Sequence, residues 1–154
     1  MKIDLIYHRE PVTIPSSVSV RETLEVMLKH KVNSLVVVDN HTVSGVVTTE
    51  DIARAVVPDE FETNTGMADA MYKPHFFEEL CAQLGERPIS TIVRTDYLSV
   101  SPSSAVMTVA ADFLKNNLYV VPVIESGKLV GIVTRTQILN AITQALHLPV
   151  STKS

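Results

Sequence analysis

The sequence predicts an α/β domain made of two strand-helix-strand-strand-helix repeats packed about a pseudo-two-fold axis, and three observations carry that expectation. Residues 12–56 lie over residues 98–142 without a gap, at an offset of 86, which marks a duplicated supersecondary unit. In each copy, apolar residues at helical spacing give way to short β-branched runs of the length expected for buried strands. A unit of about 45 residues is too small to bury its own sheet, so each copy needs the other as a second layer.

The elements follow in order. After an N-terminal lead segment, Val12-Thr13-Ile14, matched by Leu98-Ser99-Val100, reads as a short first strand. Pro15 and Pro102 stop it, because proline donates no hydrogen bond to a ladder. Val20, Leu24, Met27 and Leu28 share one helix face, and the offset turns them into Val106, Ala110, Phe113 and Leu114, again one face. Ser19 and Glu22 form a capping-box pair before the first of these helices, whereas Ala105 and Thr108 offer none before the second. Leu35-Val36-Val37-Val38 and Val120-Val121-Pro122-Val123-Ile124 are the next strands. Asp39-Asn40-His41-Thr42 and Glu125-Ser126-Gly127-Lys128 then supply Asn and Gly where a tight hairpin needs positive φ, leading into strands at 43–48 and 129–134. Thr48 with Asp51, and Thr134 with Gln137, stand at capping-box spacing, so a helix starts directly from each last strand. Between the copies, residues 58–64 are acidic and broken, Gly66 punctuates, and Phe76-Phe77-Glu78-Glu79-Leu80 opens a linking helix. The expected division of the single 154-residue module is a first repeat at 1–57, a linker at 58–87, a second repeat at 88–147 and a tail at 148–154.

Composition narrows the functional classes. With 13 Lys and Arg against 17 Asp and Glu, the net charge is −4, and no basic run offers the stripe that a nucleic-acid partner requires. Apolar runs such as residues 35–38 fall far short of the roughly 20 residues that span a bilayer. Asp4 interrupts what would have to be the apolar core of a signal segment. The one cysteine, Cys81, has no partner for a disulfide or a thiolate metal site, and a cytoplasmic, reducing location is expected. His8, His30, His41, His75 and His147 are scattered without zinc-like spacing, and neither a nucleophile elbow nor a phosphate loop occurs. Glu78 and Glu79 are neighbours on one helix and diverge into solvent. Enzymatic turnover is not expected.

Gly45-Val46-Val47-Thr48-Thr49-Glu50-Asp51-Ile52 and Gly131-Ile132-Val133-Thr134-Arg135-Thr136-Gln137-Ile138 resemble the signature that closes a CBS motif, here as a tandem pair or Bateman module. The resemblance implies a regulatory module that binds an adenosyl ligand (AMP, ADP, ATP or S-adenosylmethionine) in clefts between the repeats and associates as a homodimer. Carried over residue by residue, it makes Thr48 and Asp51 the ribose-binding pair. An ionised carboxylate suits a diol because it only accepts and can take two donors at once. The base is then expected against Thr13, Ile14, Ser34 and Leu35, and Arg135 is the phosphate candidate, since the strand starts Asn33-Ser34 and Tyr119-Val120 carry no charge. A second cleft at Val100, Tyr119, Val120, Val121 and Thr134 is expected to be weaker, because Gln137 replaces the carboxylate. No prosthetic group or metal is expected. The reading left open beside this one is a ligand-free dimerisation scaffold, in which Thr48 and Asp51 serve only as a helix cap. In either case the expected output partner is a second copy or a separate enzyme or transporter, with no nucleic acid and no membrane involved.

Overall fold

The computed structural model describes residues 1–66 and 73–149; most of the expected tail lies outside them. The two copies adopt the anticipated elements. In the first, β1 (Thr13–Ile14) runs parallel to β2 (Ser34–Asp39), which pairs antiparallel with β3 (Thr42–Thr48). Around this sheet stand α1 (Val20–His30) and α2 (Thr49–Val56), followed by a short α3 (Asp59–Thr63). The linking helix α4 (Phe76–Gly85) packs against α1 and α2. The second copy repeats the plan with α5 (Val106–Asn116), the hairpin β4 (Val120–Glu125) and β5 (Lys128–Thr134), and α6 (Arg135–Ala145).

Local chemistry accounts for most boundaries. Ser19 Oγ accepts from Glu22 N at 3.0 Å and Glu22 Oε2 accepts from Ser19 N at 2.9 Å, completing the capping box of α1. Helices α1 and α5 both stop at a left-handed residue, Lys31 (φ 54°) and Asn117 (φ 49°). Both central residues of each hairpin take positive φ: Asn40 (50°) with His41 (64°), and Ser126 (52°) with Gly127 (77°). This is the backbone twist that two-residue hairpins require, and it draws in His41 and Ser126 as well as the Asn and Gly that were expected.

One expected strand is corrected. Leu98-Ser99-Val100 makes only a single bridge, from Val100 to Val123, with Val100 N donating to Pro122 O at 3.0 Å and Ile124 N donating to Val100 O at 2.8 Å. In the first copy the ladder includes the pair Thr13 and Val36. The residue at the place of Val36 is Pro122, which has no N–H to extend the ladder.

The repeat begins earlier than residue 12. Continuing the offset of 86 toward the N-terminus lays Ile3 on Ile89, and each opens a single 3-10 turn, Ile3–Leu5 and Ile89–Thr91. These lead segments are exchanged between the copies. Ile3 N donates to Ser104 O (2.9 Å) and Asp4 N to Pro102 O (2.9 Å); correspondingly, Ile89 N donates to Val18 O (2.7 Å) and Ser90 N to Ser16 O (3.2 Å). Ile3 is fully buried among Val109, Phe113, Val121 and Val133 of the second copy, and Ile89 is fully buried among Ile14, Val20, Val37 and Val47 of the first. The leads also satisfy helix starts: Val106 N donates to Met1 O (3.1 Å), which serves the side-chain-uncapped α5, and Val20 N donates to Arg87 O (2.9 Å).

A third apolar cluster joins the copies, with Val36, Val43, Val46 and Val120 buried together against Ile124, Leu129 and Ile132. The hairpin strands are thus covered on both faces, by helices on one and by the other copy's hairpin on the other. That is why β2 reads as an unbroken apolar run and does not alternate.

The signature glycines are explained by the leads. A Cβ on Gly45 would stand 2.2 Å from Arg94 O and 2.4 Å from Val93 Cγ1, and one on Gly131 would stand 2.3 Å from His8 O. Gly45→Ala and Gly131→Ala should each lower stability by about 1–3 kcal/mol, the usual cost of forcing extra volume into a packed contact, read as a shift of the urea midpoint. An equal-volume control at Gly127, whose Cβ would meet nothing within 4 Å, separates steric overlap from the cost of a positive φ alone.

Asp39 provides a pH-sensitive tie. Its carboxylate accepts from the Ser44 hydroxyl and from Ser16 N, and the Ser44 bond, followed by the Ser16 bonds, holds its pKa below the usual aspartate value. A depressed folded pKa contributes stability above the unfolded value near 3.8 and loses it as pH falls through the folded value. Chemical denaturation at stepped pH should therefore show the gap between the wild type and Asp39→Asn narrowing below about pH 4.

Candidate functional site

Packing hairpin on hairpin brings β2 against β4 and β3 against β5. The start of β2 in one copy consequently lies beside the end of the last strand in the other, and this creates two clefts between the copies. The larger, about 440 Å³, is lined by Lys31, Asn33 and Ser34 from the first copy and Tyr119, Thr134 and Arg135 from the second. The smaller, about 230 Å³, is lined by Thr48, Glu50, Arg54 and Arg94 on one side and Asn117, Tyr119 and Val120 on the other. The offset relates them, placing Asn33 on Tyr119, Ser34 on Val120 and Thr48 on Thr134.

This geometry divides the expected ligand set. Ser34 joins Arg135 in the larger cleft and Thr48 faces Tyr119 and Val120 in the smaller, so Ser34 and Thr48 do not share one site as the sequence reading placed them. Ser34 and Thr48 are direct cross-strand partners, and Thr49 N donates to Asn33 O at 2.9 Å, so the start of β2 lies beside its own signature helix and the two clefts open on either side of this junction. Ile14 (4% exposed) and Leu35 (2%) belong to the first copy's core, and Val121 (0%) to the second's, with Val100 packed half-buried against it. These four side chains serve packing because the alternation of a strand turns them to the helix layer. Thr13 lines a separate hollow of about 310 Å³ with His41 and Lys128.

Asp51 sits at the third position of α2 and is 8% exposed. Its Oδ2 accepts from Thr48 N (2.9 Å) and Thr48 Oγ1 (3.0 Å), while Thr48 Oγ1 accepts from Asp51 N (3.2 Å). The capping box is therefore fully formed. Asp51 Oδ1 accepts from Arg94 Nε at 2.7 Å, so both carboxylate oxygens have partners. Nothing in the reading of the signature pointed to Arg94. The signal was available in the offset, which lays Arg94 over His8, each paired with the residue after a signature glycine. Arg94 N donates to Val46 O (2.9 Å) and Val46 N to Arg94 O (3.1 Å); His8 does the same with Ile132 (2.8 and 3.0 Å).

The second signature helix differs. Gln137 Oε1 accepts from Thr134 N (2.8 Å) and Thr134 Oγ1 (2.6 Å), so the neutral amide caps as the carboxylate does. Arg135 is held at the wall of the larger cleft, with Nε donating to Leu118 O (3.1 Å), Nη2 to Asn117 Oδ1 (2.9 Å) and the guanidinium 5.0 Å from the centre of the Tyr119 ring. In the smaller cleft Glu50 binds Arg54 (2.9 Å), and that guanidinium, with a smaller contribution from the Tyr119 hydroxyl, holds the Glu50 carboxyl below the usual range.

A family model of the CBS domain matches residues 3–58 and 89–144, the same spacing and the same inclusion of the lead segments that the hydrogen bonds reveal. The chain belongs to the CBS domain family. As a CBS pair it is 32% identical over 104 residues to homoserine O-acetyltransferase of Methanocorpusculum labreanum, covering 67% of this chain and 18% of that protein. It spans between 12% and 33% of the length of the curated relatives it matches. Its fold superposes on CBSX2 solved in complex with AMP, at TM-score 0.71 and 23% identity over 94% of this chain and 98% of that one. It also superposes on the CBS pair of protein MJ0100 solved with 5-methylthioadenosine and S-adenosyl-L-methionine, at TM-score 0.69 and 26% identity over 92% and 99%. Among the described residues, no helix of the pair is long and apolar enough to cross a membrane.

The ion pair at Asp51 joins a buried carboxylate to a guanidinium that is 53% exposed. A charge-assisted bond of about 1.5–3 kcal/mol, discounted for that exposure, leaves about 1 kcal/mol. A double-mutant cycle of Arg94→Ala with Asp51→Asn should return a coupling of that size; additive effects would show that the pair contributes nothing.

Proposed function

We propose that this CBS pair is a regulatory sensor that binds an adenosine-containing ligand, AMP, ADP, ATP or S-adenosylmethionine, between its repeats. The observation that carries the reading is the larger cleft. Its volume of about 440 Å³ falls in the range of about 300–1,000 Å³ usual for small-molecule sites. Among its described lining residues are the cations Lys31 and Arg135, the hydroxyls of Ser34 and Thr134 and the Tyr119 ring, with no carboxylate. It also opens at the start of α6, whose positive dipole end favours an anion. That chemistry suits a base, a ribose and a phosphate, and the superposable pairs solved with AMP or with S-adenosylmethionine support the ligand class.

A ligand touching both copies stabilises the arrangement in which both touch it, so binding shifts the population of module states. The readout is association rather than turnover. The exposed apolar residues Met107 and Leu114 on α5 and Leu139 and Ile142 on α6 support a homodimer, whose state a separate enzyme or transporter senses.

The test is a thermal-melt panel with AMP, ADP, ATP, S-adenosylmethionine, NADH and a guanine nucleotide. A ligand at 100 times its dissociation constant stabilises by about 2.7 kcal/mol, or several degrees for a domain of this size. The expected result is a rise confined to adenosine ligands and reduced in Arg135→Ala. Flat curves across the panel overturn the sensor and favour the scaffold, a reading supported by Asp51, whose two oxygens are already occupied by a cap and an ion pair.

A further inference from the structure

We propose that Arg94 acts as a latch on the Asp51 cleft, making that cleft selective for adenosyl ligands that carry a phosphate over uncharged nucleosides. The inference rests on the sensor reading and adds to it which ligands this one cleft admits. Asp51 Oδ2 is spent on the cap of α2, so Oδ1 is the atom left for a ribose hydroxyl, and Arg94 Nε holds it at 2.7 Å. Oδ1 has two acceptor sites and Arg94 fills one, so a diol that donates both of its hydroxyls there has to displace the guanidinium.

Where the guanidinium can go is tightly limited. The Arg94 backbone is fixed on Val46 by two hydrogen bonds and seated over Gly45 without room for a Cβ, so the side chain moves and the main chain stays. Its 53% exposure gives it space to swing within the mouth of the cleft. Arginine keeps its charge at any accessible pH and seeks a bidentate anion. Glu50, the carboxylate that lines the cleft among the described residues, already feels the charge of Arg94 but is held by Arg54 at 2.9 Å, and Arg54 also holds Glu62 at 2.8 Å.

The displaced guanidinium therefore meets no free acid. A nucleoside phosphate supplies both halves of the exchange, a diol for Asp51 and a phosphate for Arg94. Adenosine supplies one half and leaves the cation with water and a carboxylate already paired to Arg54. The larger cleft carries no such device, since His8 stands in the place of Arg94 and Gln137 in that of Asp51. Two clefts in one chain thus discriminate differently, and the difference is built from a lead-segment residue outside the signature.

The experiment titrates the full chain with AMP and with adenosine, following the backbone amide resonances of Thr48 and Asp51 for this cleft and of Ser34 and Thr134 for the other. Wild-type protein should bind AMP at Thr48 and Asp51 about tenfold more tightly than adenosine, or tighter still. In Arg94→Ala the adenosine affinity at those amides should rise and the ratio should fall to about twofold. Arg94→Gln, which keeps the length of the side chain, repeats the measurement if the alanine variant does not fold. An AMP-to-adenosine ratio unchanged by either variant overturns the latch and leaves the sensor standing, as does binding by both ligands that moves only Ser34 and Thr134. If neither ligand moves any of the four amides in any variant, the sensor reading fails and the latch falls with it.

Discussion

The structure depends on the reciprocal closure of each repeat by the lead segment of the other. Ile3 seals the second core and Ile89 the first, and both are fully buried. Their backbones then run on to pair with the strand beside a signature glycine. Because these contacts cross between copies, the two repeats are joined by more than the apolar layer where their hairpins meet. A leucine-sized cavity costs several kcal/mol in a core, and withdrawal of either lead would open one of comparable size. The exchange therefore ranks with the inter-hairpin layer of Val36, Val46 and Val120 as a source of cohesion between copies.

Much of this was legible in the sequence. The offset of 86, the Ser19, Thr48 and Thr134 caps and the two hairpins follow from local chemistry acting over a few residues, and the structure contains them. The lost strand at residues 98–100 was legible in principle, since Pro122 has no N–H to donate. The division of the ligand set was not. Ser34 and Thr48 are 14 positions apart in sequence and paired in register on adjacent strands, yet they line different clefts, because which side of a hairpin meets which side of its partner is decided by tertiary packing. The signature glycines were read as a motif, and their cause, a backbone arriving from the lead segment, appears only when both strands are in place. The offset lays Arg94 over His8, but its ion pair with Asp51, 43 residues away, is a tertiary contact that no local spacing encodes.

Duplication has left the two clefts alike in frame and unlike in charge. Both are built from a capped helix of one copy and a strand start of the other, and the smaller adds Arg94 of a lead segment. In one, a buried acid is bonded to a base at the cleft wall, Asp51 and Arg94; in the other, the offset puts Gln137 and His8 in those places, and the positive charge comes from Arg135 and Lys31. The same cap contact forms in both, because an amide oxygen and a carboxylate oxygen can each accept from the Thr N–H and hydroxyl. Helix capping thus tolerates the exchange of Asp for Gln, and the electrostatics of the cleft could diverge without cost to the fold.

The exchanged leads also bear on how such a pair arises. A chain holding one repeat has its own lead pointing away from its own core, so it can close only by trading leads with a second molecule, as in a domain-swapped dimer. Fusing two repeats in tandem turns that trade into an event within one polypeptide, where the linker sets an effective concentration of the missing lead that is independent of protein abundance. Seen this way, the stretch between the copies is the tether that lets a single translated chain finish a dimer's fold, and cutting it would return closure to the law of mass action.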